Sequence, residues 1–104
     1  MSYAIVINLD YTSYHPQDCN MVWTAIRDTM IEAGFILDKR LLVSKQPKQL
    51  ACEAARHVIE QLNRSKAVGG IDIYSYLKDF YGYDHSQSIN LLLPEPESFL
   101  VEVQ

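Results

Sequence analysis

Glycine and proline are scarce in this chain, with four of each among 104 residues. That scarcity excludes collagen-like and low-complexity architectures. Cysteine is scarcer still. Cys19 and Cys52 are the only two, and they form no Cys-x-x-Cys pair. That count disfavours a disulfide, and two buried thiols in a reducing cytoplasm are expected. Basic residues are outnumbered, 9 Lys plus Arg against 13 Asp plus Glu, for a formal net charge of -4. Nucleic-acid binders draw affinity from a basic surplus, so the charge balance disfavours RNA as a partner. No apolar run approaches the roughly 20 residues of a membrane helix, which predicts no membrane partner. No charged and apolar leader opens the sequence, so a cytoplasmic location is expected. Phosphate-cradling glycine loops and Gly-x-Ser-x-Gly elbows are missing; Gly69-Gly70 reads as a turn.

What is present is globular: 48% hydrophobic and 21% charged. The length suits one domain over residues 1–104, with 94–104 as a C-terminal extension after Pro94. Residues 3–10, Tyr-Ala-Ile-Val-Ile-Asn-Leu-Asp, read as a buried strand. Alternation puts Tyr3, Ile5, Ile7 and Leu9 on one face. Ala4, Val6, Asn8 and Asp10 share the other, so this strand delivers an amide and a carboxylate at its C-terminal end. Asp18 is the expected N-cap of a first helix ending at Gly34, with Val22, Ala25, Ile26, Thr29, Met30 and Ala33 on its apolar face. Residues 35–37 and 41–43 read as two strand pieces around a charged bend. A second helix from Pro47 to about Asn63 carries a stripe of Leu50, Ala51, Ala54, Ala55, Val58, Ile59 and Leu62. Residues 71–77 are expected as a strand, 80–85 as an aromatic turn, and Ile89–Leu93 as a last buried strand.

Strand, helix, split strand, helix, strand, strand is the order of an α+β ferredoxin-like sandwich. Two helices cover one face of a four- to five-stranded, mainly antiparallel sheet. The uncovered face is expected to be lined by Ala4, Val6, Tyr74, Tyr76 and the last strand. It is too apolar for water, and a homodimer would cover it. Tyr74, Tyr76, Leu91 and Leu93 are therefore the expected interface residues.

The opening Tyr3-Ala4-Ile5-Val6-Ile7-Asn8-Leu9, the first helix ending in Ala33-Gly34-Phe35, the tight strand pair and Asp72-Ile73-Tyr74-Ser75-Tyr76 resemble the virulence-associated protein D family. They are also similar to the CRISPR-associated ribonuclease-like family, whose members scaffold spacer integration. The likeness covers roughly residues 3 to 80 as a pattern. It implies a ferredoxin-like dimer, with members regarded as metal-dependent endoribonucleases or toxins that use an Asp at the end of the first strand. Here that position holds Asn8, and an amide neither carries the charge that binds Mg²⁺ or Mn²⁺ nor acts as a base. Asp10, two residues on, is the substitute candidate for both catalysis and metal.

The function expected is thus a divergent, dimeric assembly or regulatory protein. The alternatives are a divalent-metal endoribonuclease using Asp10, and a small-molecule regulatory module. Lys39, Arg40, Lys45 and Lys48 form the one basic cluster, and the first three are the candidate nucleic-acid contacts. Asp10, His15, Asp84 and His85 form a mixed metal or acid-base cluster only if two loops meet at one end of the sheet.

Overall fold

The computed structural model describes residues 2–66 and 68–85. Seven elements follow in order: β1 (Tyr3–Leu9), α1 (Pro16–Glu32), β2 (Ile36–Asp38), β3 (Leu41–Ser44), α2 (Lys48–Ser65), α3 (Ile73–Tyr76) and β4 (Leu77–Asp84). The strands make one antiparallel sheet in the order β2-β3-β1-β4. β1 and β2 run parallel with β3 between them, and β3 and β4 run parallel with β1 between them. This is the split βαβ arrangement of a ferredoxin-like sandwich.

Local chemistry explains the ends of α1. Pro16 sits in the first turn, and the residue before a proline is driven to extended backbone. His15 accordingly has φ -62° and ψ 137°, and its Nδ1 accepts the Gln17 amide at 3.0 Å. The N-cap is therefore His15 rather than the expected Asp18, which lies in the first turn. At the far end Gly34 takes φ +103°. The Phe35 amide donates to Met30 and the Gly34 amide to Ile31, both at 3.0 Å, and the paired bonds close the helix as a Schellman motif. Phe35 and Met30 are both buried, which supplies the apolar contact of that motif.

One core holds the sandwich together. Ile5, Ile7 and Leu9 of β1 and Leu42 of β3 meet Cys19, Val22, Ile26 and Met30 of α1 and Ala55, Val58, Ile59 and Leu62 of α2. Both long helices thus cover the same side of the sheet. The expected α2 stripe holds except at Leu50, which is exposed.

Two expectations fail in the 71–85 region. Residues 73–76 are one turn of helix, and the strand begins only at Leu77. Ile73 and Tyr76 are three apart and both buried, the spacing of a helical turn, whereas strand alternation would put them on opposite faces. The Asn63 side-chain oxygen accepts the Ile73 amide at 2.8 Å and starts the turn. The supposed aromatic turn is β4 itself, paired along β1 from Tyr3↔Asp84 to Leu9↔Leu77.

Cross-strand partners share a face. Phe80 and Gly82 therefore join Ile7 and Ile5 under the helices, while Tyr81 and Tyr83 join Val6 and Ala4 on the open side. Val43 and Ile36 extend that open face through β3 and β2. Tyr74 and Tyr76, expected on this face, are not on the sheet. Tyr76 is in the core, stacked on Tyr14 at 3.9 Å, and Tyr74 donates to Glu60 on α2 at 2.8 Å. Leu91, Leu93, the last strand and the 94–104 extension lie outside the described residues.

Gly82 is fixed by packing. A Cβ at this position would lie 2.5 Å from Cε2 of Tyr3 and 3.1 Å from the Ala4 carbonyl oxygen. Gly82→Ala is expected to cost about 1–3 kcal/mol through overpacking. Adding Tyr3→Leu should recover most of it, a coupling readable from urea melts of the four variants.

Candidate functional site

The C-terminal end of β1 carries the polar groups that sequence singles out. Asn8 faces Asp79 across the β1–β4 ladder, and its Nδ2 donates to Asp79 Oδ2 at 3.1 Å. Asp79 was not among the sequence candidates. Its pairing depends on the β1–β4 register, which a strand expected at 71–77 would have misplaced. A register shift follows at Asn8 and Leu9, after which the Asp10 amide donates to the Tyr76 carbonyl at 2.8 Å.

Asp10 is tied into the next loop. Its Oδ1 accepts from the Thr12 amide at 3.2 Å, the Thr12 hydroxyl at 2.8 Å and the Ser13 amide at 3.1 Å. An aspartate bonding its own backbone two and three residues on is a standard way to set a turn. These bonds, the Ser13 and Thr12 contacts foremost, hold the Asp10 carboxyl below its ordinary value of 3.8. A lowered pKa favours the folded loop above the ordinary carboxylate range, and the benefit is lost as pH falls through the lowered value. Protection of the Thr12 and Ser13 amides, measured against the intrinsic exchange rate at each pH, should therefore be present at neutral pH and fall as pH drops below the ordinary carboxylate range. In Asp10→Ala that protection should be missing at every pH.

The neighbouring Cys19 is no nucleophile. Its thiol is buried and lies 3.8 Å from the Asp10 carbonyl oxygen. Burial, with the Asp10 and Asp18 carboxylates nearby, pushes its pKa up, away from the reactive thiolate. Cys52, expected to be buried, is half-buried.

The basic residues divide. Lys39 and Arg40 make the β2–β3 turn, Lys39 at φ +60°, at the same end of the sheet as Asp10. Lys45 follows the opposite end of β3, so the four cations are not one cluster. Arg40 is already engaged: its guanidinium carbon lies 5.2 Å from the Trp23 ring centre, and it donates to the Tyr11 hydroxyl at 3.5 Å. A cation over a half-buried indole at the surface contributes about 0.5–1 kcal/mol, here toward pinning the hairpin to α1.

The expected mixed cluster does not form either. Asp84 pairs with Tyr3, and the His85 amide donates to the Ser2 carbonyl, at the far end of β1 from Asp10 and His15. His85 Nε2 instead lies 3.6 Å from Asp38 Oδ2. Asp38 belongs to β2 at one edge of the sheet and His85 follows β4 at the other. Among the described residues no group of three or more His, Cys, Asp or Glu side chains is placed to hold a metal ion. Mg²⁺ or Mn²⁺ does not fit the Asn8 and Asp10 end as it stands. Asn8 presents an amide donor there, and the Asp10 Oδ1 is committed to its loop.

Compared with known protein families and with curated proteins, the chain matches none. Among the described residues no helix is long and apolar enough to cross a membrane.

Proposed function

We propose that this chain works as a homodimeric, non-catalytic assembly or regulatory protein whose subunits meet through the open sheet face. The reading keeps the resemblance to the virulence-associated protein D and CRISPR-associated ribonuclease-like families, with this chain as a divergent relative. The observation that carries it is the chemistry of that face. Val6, Val43, Ile36, Tyr81 and Tyr83 crowd one side of the sheet, with Ile36 and Tyr81 each more than half exposed. A contiguous apolar surface of this kind marks an interaction site, and twofold symmetry lets one such face cover another.

The nuclease alternative has less support. It needs Asp10 to hold a hard cation, yet one of that carboxylate's oxygens already accepts three hydrogen bonds. Octahedral Mg²⁺ takes carboxylate ligands free to point at it. The net charge of -4 also works against RNA.

Incubation of the purified chain with structured RNA and Mg²⁺ or Mn²⁺, beside light scattering, decides between these readings. Intact RNA and a mass twice the 11.9 kDa of the chain are expected. RNA cleavage that vanishes in Asp10→Ala would replace the assembly reading with the nuclease.

A further inference from the structure

A crevice runs along the other side of the molecule, between α2 and the edge strand β4. It consists of three adjoining hollows. One of about 590 Å³ is walled by His57, Tyr74 and Phe80, a second of about 110 Å³ by Cys52, Phe80 and Gly82, and a third of about 410 Å³ by Lys48 and Glu53. All three share Arg56. The largest lies within the size range of small-molecule sites.

We propose that this crevice binds a small aromatic carboxylate, with Arg56 taking the carboxylate and Phe80 and Tyr74 taking the ring. Arg56 is exposed and has no ion pair or hydrogen bond to any described residue, while its acidic neighbours are engaged. Both oxygens of Glu60 are occupied, one by the Tyr74 hydroxyl at 2.8 Å and the other by Arg64 at 3.0 Å. Glu53 Oε2 accepts from the side-chain Nε2 of Gln49 at 3.4 Å. The guanidinium is thus unpaired among the described residues where the two larger aromatic walls meet, and a planar carboxylate matches its fork of donors. The Glu60 bond also holds Tyr74 in place, so one aromatic wall is set before a ligand arrives.

Charge selects the ligand class. A neutral ring leaves Arg56 unpaired. A dianion such as a phosphate monoester meets Glu53 and Glu60 on the same walls. A monoanion with an apolar body satisfies both halves of the site. Tyr81 of the open face borders only the second hollow, and the three groups proposed to hold the ligand, Arg56, Phe80 and Tyr74, line the largest one, which Tyr81 does not reach.

The test is a titration of ¹⁵N-labelled full-length chain with benzoate and, separately, with uncharged benzamide, followed by amide shifts. Benzoate should move amides in the 52–60 and 80–82 segments. Loss of a charge-assisted pair weakens binding by about tenfold or more, so benzamide should bind that much more weakly. Arg56→Gln should weaken benzoate by a like factor and leave benzamide unchanged. Its exposed position keeps the fold, which the dispersion of the same spectra reports. The proposal is overturned if the two probes bind alike, if Arg56→Gln does not change benzoate binding, or if benzoate shifts nothing in the crevice. Contacts in the free protein between residues 86–104 and Phe80 would also overturn it, because the chain itself would then fill the site.

Discussion

Ile26→Ala should lower stability by about 2–5 kcal/mol, because Ile26 is fully buried where α1 meets the sheet. Three methylene equivalents leave the core, and the cavity between α1, α2 and β1 closes only in part. For a domain of this length each kcal/mol moves the melting temperature by about 4–8 °C, so a drop of about 8–40 °C is expected by calorimetry. Met21→Ala, less than two turns away on the same helix, is the contrast. Met21 is 45% exposed, and its loss should stay within about 0.5 kcal/mol. Equal effects at the two positions would mean that α1 presents a different face to the sheet.

Val6→Glu should dissociate the proposed dimer. Val6 is half-buried on the open face, paired with Tyr81 of β4. In an isolated subunit its replacement exposes a carboxylate to water at a modest cost, within about 1 kcal/mol for a strand position of this kind. Between two apolar faces the same carboxylate has no partner. Burying such a charge unpaired costs several kcal/mol, which corresponds to an affinity loss of about 100-fold or more. Light scattering over a dilution series should return the mass of a single chain, with the far-ultraviolet circular dichroism unchanged. Met21→Glu on the outer surface of α1 should leave the association intact.

The sequence was legible where patterns are long. Seven residues of alternation fixed both faces of β1, and the helical stripes of α1 and α2 identified nearly every residue those helices bury. The two-residue bend at Lys39 and Arg40 was also readable, since charge interrupts two short apolar runs. Legibility failed at 71–77, where a run of apolar and aromatic residues suits a strand by composition. Ile73 and Tyr76 instead bury one side of a single helical turn, whose first amide is taken by Asn63 on α2. That one error moved β4 from 71–77 to Leu77–Asp84. It thereby put the wrong tyrosines on the open face, Tyr74 and Tyr76 in place of Tyr81 and Tyr83.

The candidate site was read in part. Asn8 and Asp10 at the end of β1 were visible from alternation alone. Asp79 was not, because a cross-strand partner exists only once the register is known. The split of the basic residues has the same origin. Lys45 lies five residues from Arg40 in sequence, but β3 runs between them and carries them to opposite ends of the sheet.

The central claim is that the helices shield one side of the sheet and a second copy covers the other. An isotope-filtered NOE experiment on an equimolar mixture of labelled and unlabelled chain tests it directly. Contacts between copies should arise from Val6, Val43, Ile36 and Tyr81. Contacts between copies that arise from the outer surfaces of α1 and α2, or none at concentrations where the chain is fully folded, would contradict the claim.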